Sequence, residues 1–73
     1  MSNGTRMLPP PISLAAARVN ANMSQVEVAK AIGVTRNTVI SWEKGKTEIS
    51  HKDMLRLSEL YHYPMDFIFI PAI

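Results

Sequence analysis

Arg36, Asn37, Ile40, Ser41 and Lys44 gather on one side of a helix that turns about 100° per residue. Val39 and Trp42 fall together on the other side, with Thr35 between them. The first side has a definite chemistry. An arginine donates two parallel hydrogen bonds to the acceptor edge of guanine, an asparagine makes the donor–acceptor equivalent with adenine, and an aliphatic group suits a thymine methyl. A serine serves a base or a phosphate, and a lysine meets phosphate as a point charge. The Val39–Trp42 side has to be buried. If it is, the polar side is left facing out with the groups that a recognition helix needs, which makes duplex DNA the leading candidate partner.

The elements that must position this helix are legible around it. Residues 24–46, SQVEVAKAIGVTRNTVISWEKGK, read as two short helices joined by a tight glycine turn. Ser24 and Glu27 form a capping box, and Val28, Ala29 and Ile32 give the buried stripe of the helix they open. Gly33 supplies the left-handed stop, Val34 plugs the core from the turn, and Thr35 is the hydroxyl N-cap of the next helix. That helix ends near Lys44, a cation at the negative dipole end, before Gly45.

Before this pair, residues 1–11 (MSNGTRMLPPP) read as a flexible arm, since three prolines favour an extended segment. A first helix is predicted over 12–21, with Pro11 acceptable at its first position and Asn20 and Asn22 ending it. After the pair, Ser50 with Asp53 caps a helix running to about Tyr61, with Met54, Leu57, Ser58 and Tyr61 on one face. Pro64 opens a last short helix from Met65 to about Phe69. The expectation is an all-α domain of five helices over 12–69, with no strand and an apolar tail over 70–73.

Composition bounds the function. A chain of 73 residues has room for one small core. It has no cysteine, hence no disulfide framework and no thiolate metal site. No apolar run reaches the length of a membrane span and no signal peptide is recognisable, so a soluble cytoplasmic protein without membrane partner is expected. The net charge of +2 is unevenly placed. Residues 30–46 carry Lys30, Arg36, Lys44 and Lys46 against Glu43, whereas 47–73 carry Lys52 and Arg56 against Glu48, Asp53, Glu59 and Asp66. The basic segment coincides with the helix pair, an electrostatic footprint suited to a polyanion.

With Ser24-Gln25, Val28-Ala29, Gly33-Val34-Thr35, Trp42-Glu43-Lys44-Gly45-Lys46 and Arg18 in view, the chain resembles the lambda-repressor-like family, the Cro/repressor type of helix-turn-helix regulator. The resemblance covers roughly residues 12–69. It implies a compact five-helix domain whose second helix crosses the DNA backbone and whose third lies in the major groove. Base contacts then fall to Arg36, Asn37, Ile40 and Ser41, although Ile40 alternatively rests against a neighbouring loop. Phosphate contacts fall to Gln25, Lys44 and Lys46, with an ordinary helix-start role as the alternative for Gln25. Arg18 and Glu43 are expected as a structural ion pair joining the first helix to the end of the third. The sequence departs from the family pattern at Ile49, where proline is frequent, and at His62, where glycine commonly ends the fourth helix. His62 must therefore adopt a left-handed conformation, or that helix must end differently.

The implied function is a transcriptional regulator of a bacterium or its phage, a repressor binding a palindromic operator as a homodimer. An enzyme is not expected. His51 and His62 have no carboxylate cluster beside them, and no phosphate-cradling glycine loop or metal-ligand spacing is present. No cofactor, metal or small-molecule substrate is implied. The rival is a protein-interaction module on the same fold, an antitoxin or adaptor. Phe67, Ile68, Phe69, Ile70 and Ile73 motivate it, being more apolar side chains than one short helix buries in so small a core.

Overall fold

A computed structural model describes residues 8–71 of the chain. The elements in order are β1 (Ile12–Ser13), α1 (Leu14–Asn20), α2 (Gln25–Ile32), α3 (Arg36–Lys44), α4 (His51–Tyr61), a 3-10 turn (Met65–Phe67) and β2 (Ile68–Phe69). There are four α-helices and a small sheet among the described residues, not five helices.

Each helix starts on a side-chain cap. Ser13, Ser24, Thr35 and Ser50 accept from the amide three residues on, at 3.0, 3.0, 3.2 and 3.1 Å. Such caps satisfy amides that the helix itself leaves unpaired. The Ser13 cap corrects the start of the first helix, which begins at Leu14 and not at residue 12. Pro11 consequently lies before β1 and outside the helix.

The C-terminal segment is the larger correction. A helix over Met65–Phe69 is replaced by one 3-10 turn and a strand that pairs in parallel with β1, Ile12 opposite Ile68 and Ser13 opposite Phe69. Ile68 and Phe69 are β-branched and aromatic, types that suit a pleated surface better than a helical turn. The alternation puts Ile68 into the core and leaves Phe69 49% exposed. Ile70 packs against the core as well, so part of the apolar tail is consumed by folding. Residues 1–7, with Arg6, the arm residue that the sequence offers for reaching around a duplex, and residues 72–73, with Ile73, lie outside the described residues. Within the described part of the predicted arm, the Tyr63 hydroxyl donates to the Pro10 carbonyl.

The core draws on every helix and on β2: Leu14 and Ala17 from α1, Val28, Ala29 and Ile32 from α2, Val39 and Trp42 from α3, Leu57 and Tyr61 from α4, and Ile68. Val34, in the turn, is partly buried against this cluster. Arg56 of α4 donates to the Ile32 carbonyl at 2.9 Å, satisfying one of the carbonyls left over at the end of α2.

His62 does adopt the left-handed conformation, φ 54° and ψ 44°, as the C-cap of α4. The strain is borne by a side chain where glycine would have none. His62→Gly should therefore raise stability by about 0.5–1 kcal/mol, read as a shift of the urea midpoint at unchanged m-value. An unchanged or lower midpoint would show that the histidine makes a compensating interaction.

Tyr61 is buried, and its hydroxyl has no hydrogen-bond partner among the described residues. Burial, assisted by the Glu43 carboxylate and opposed by Arg18, pushes its phenol up to about 12. The folded state therefore keeps this proton more tightly than the unfolded chain, whose phenol titrates near the ordinary 10. Its titration leaves stability unchanged below pH 10, and stability falls as pH rises from there towards 12. Tyr61→Phe should be neutral or stabilising by up to about 1 kcal/mol near pH 7, because no hydrogen bond is lost. It should also remove the Tyr61 share of the alkaline decline in an unfolding series from pH 9 to 12. A loss of more than about 1 kcal/mol at pH 7 would mean that the hydroxyl has a partner.

Candidate nucleic-acid interface

The interface begins with the local rules that build the α2–turn–α3 unit. Ser24 and Glu27 form the full capping box: the Ser24 hydroxyl accepts from the Glu27 amide, and Glu27 Oε1 accepts from the Ser24 amide at 2.8 Å. Donation from the Ser24 amide, helped by the Ser24 side chain, holds the Glu27 carboxyl below its usual range. Gly33 ends α2 at φ 88°, a conformation that a side chain rarely tolerates. Its amide and that of Val34 both donate to the Ala29 carbonyl, at 2.8 and 2.9 Å, closing the turn. Thr35 then caps α3, and its hydroxyl lies 2.9 Å from that of Thr38. The two helices pack directly against each other across the turn.

The rotation of α3 is set by its inner side. Val39 is 1% exposed and Trp42 4%, both within the core. Arg36, Asn37 and Lys44 are exposed on the other side, and Lys46 is exposed just beyond the helix. Ile40 and Ser41 are half-buried along the margin of that face. The helix stops at Gly45, φ 74°, where the Gly45 and Lys46 amides donate back to Trp42 and Ser41 carbonyls. The structure thus brings Arg36, Asn37, Ile40, Ser41, Lys44 and Lys46 onto one helix and its exit.

Gln25 stands apart from this set. It is the first residue of α2, half-buried, and its Nε2 donates to Glu43 Oε1 at 3.0 Å. One amide hydrogen of its side chain is thereby used inside the protein. Glu43 also receives Arg18, at 2.7 Å from Nε to Oε2 and 3.4 Å from Nη2 to Oε1. Arg18 Nη1 donates to the Met23 carbonyl at 2.9 Å, immediately before the cap of α2. The Arg18–Glu43 pair therefore ties together α1, the entrance of α2 and the end of α3. The link from Gln25 to Glu43 has no signature in the sequence, because it spans two helices whose crossing is set only on folding.

Among the described residues no group of three or more His, Cys, Asp or Glu is placed to hold a metal ion, and no ligand-sized cavity is present. No helix there is long and apolar enough to cross a membrane.

Comparison with known proteins agrees with this geometry. A sequence model of the helix-turn-helix family, Cro/C1 type, matches residues 14–68. The chain is 38% identical over 53 residues to an uncharacterized HTH-type transcriptional regulator of Archaeoglobus fulgidus, covering 73% of this chain and 75% of the relative. It is 37% identical over 49 residues to another uncharacterized HTH-type transcriptional regulator, from Methanocaldococcus jannaschii, covering 67% of this chain and 74% of the relative. No solved structure matches the chain. The capped helix pair, its glycine turn and the match over most of the chain lead to one conclusion: this protein belongs to the Cro/C1-type helix-turn-helix family of transcriptional regulators.

Proposed function

We propose that the protein is a sequence-specific regulator that represses transcription by binding duplex DNA as a homodimer, with α3 in the major groove of each half of a palindromic operator. The observation that carries this reading is the division of α3 into a buried Val39–Trp42 side and an exposed Arg36–Asn37 side. Arg36 and Asn37, at the start of the helix, reach base edges. Ser41 contacts a base or the sugar–phosphate, and Ile40 meets a thymine methyl at the rim of the face. Lys44 and Lys46 contact phosphates, as does Gln25 with its remaining amide hydrogen and the unpaired amides of the α2 N-terminus. Two half-sites lie about one helical turn apart, roughly 34 Å. Occupying a promoter excludes polymerase, and no effector site is needed for that.

The dimer reading is supported by Phe69, about half exposed on β2 beside Ser13 of β1. A second copy covering this residue would bury an aromatic side chain that the monomer leaves in water. The adaptor or antitoxin reading uses the same surface but requires no DNA. Salt dependence separates the two: binding through lysines to phosphate weakens steeply as salt rises, by a slope of about 0.9 per phosphate contact.

Two substitutions test the assignment on duplexes selected from a random DNA pool. Arg36→Ala or Asn37→Ala should cost about 1–3 kcal/mol on the selected sequence and relax preference at particular base pairs. An equal loss on every duplex would remove both residues from base reading. Lys46→Ala should instead weaken selected and unrelated duplexes alike and lower the salt slope by about one. If the slope stays the same, Lys46 makes no phosphate contact.

A further inference from the structure

Glu43 is a carboxylate in an awkward place. It follows Trp42 at the end of α3, next to Lys44, and one hydrogen bond away from Gln25 at the entrance of α2. Both neighbours belong to the proposed phosphate contacts, so an uncompensated negative charge here would repel the backbone it is meant to meet. The side chain is 7% exposed, and that of Arg18, its ion-pair partner, is 16% exposed. Arg18 approaches both carboxylate oxygens and still reaches the Met23 carbonyl. A carboxylate is an acceptor only, so Gln25 can meet it only through its amide nitrogen and cannot turn its own oxygen inward.

We propose that Glu43 is a positioning residue of the DNA interface: it fixes the Gln25 carboxamide at the entrance of α2, while Arg18 cancels the charge that would otherwise repel phosphate there. This rests on the reading of Gln25 as a phosphate contact. The ion pair then has a task beyond joining helices, which is to provide a rigid anchor of zero net charge beside the DNA backbone. The consequence is asymmetric. Losing Arg18 leaves a bare anion next to the phosphate, whereas losing the Glu43 charge leaves a bare cation.

The experiment measures affinity over a salt series for one selected and one unrelated duplex. Each value is normalised to the folded fraction read from thermal unfolding of the same chain. Arg18→Met should weaken both duplexes about three- to tenfold, from one repulsive charge some 6–8 Å from a phosphate, and make the salt slope shallower. Glu43→Gln should move the slope the other way, steeper by up to about one, and tighten binding to the unrelated duplex. The double variant, Arg18→Met with Glu43→Gln, should restore a slope near that of the unaltered protein and keeps the test available if a single variant fails to fold. Gln25→Ala should weaken both duplexes severalfold in the unaltered protein and markedly less beside Arg18→Met with Glu43→Met, which removes the acceptor of the Gln25 amide along with both charges.

If Gln25→Ala leaves affinity unchanged in the unaltered protein, the phosphate contact itself is absent and the proposal falls with it. If Gln25→Ala weakens binding equally in both backgrounds, the contact stands but Glu43 does not position it. Slopes that stay constant or move together in the two single variants would reduce Arg18 and Glu43 to a structural pair.

Discussion

The burial of Val39 and Trp42 governs everything that the surface of this protein presents. A helix of nine residues has little stability of its own in water, because nucleation costs more than so few hydrogen bonds return. Docking Val39 and Trp42 into the cluster formed by Leu14, Val28, Ala29, Ile32 and Leu57 both sustains α3 and fixes its rotation. Once two inward positions are anchored a turn apart, Arg36 and Asn37 have no freedom to face elsewhere. The orientation of the polar face is thus a by-product of core packing, and a cavity introduced under Trp42 would disturb recognition as well as stability.

The turn before α3 serves the same end by different means. Gly33 takes a backbone conformation that would strain a side chain, and Thr35 captures the Thr38 amide so that α3 begins without delay. Arg56, reaching across from α4, satisfies the Ile32 carbonyl at the end of α2. Backbone groups left over at the helix ends are accordingly met within a few residues of the turn, which keeps the angle between α2 and α3 from drifting. A rigid pair of helices can place several side chains at once against a rigid duplex, which a loosely jointed pair cannot.

Charge is arranged on two scales. The exposed Arg36, Lys44 and Lys46 pay no desolvation and stay available to a polyanion, while the single acidic residue among them, Glu43, is withdrawn and paired. A partly buried ion pair of this kind adds little net stability, because withdrawing two charges from water offsets their attraction. Its worth lies in geometry: three elements converge on one guanidinium–carboxylate contact, and Gln25 is held in the same network.

The helix pair was legible from the order of residues because its determinants are local. A capping box, a glycine stop, a hydroxyl cap and an apolar stripe all act within one or two turns, so residues 24–46 carry their own instructions. The ends of the chain carry no such instructions. Ile12–Ser13 and Ile68–Phe69 are too short for any periodicity, and each is a strand only because the other, distant in sequence, supplies its backbone partners. Likewise Gln25 and Glu43 were each conspicuous alone, but their hydrogen bond exists only where α2 crosses the end of α3. Local backbone preferences and amphipathic spacing are written in the sequence, whereas pairings between distant segments arise when the shared core closes and brings their unpaired polar groups within reach.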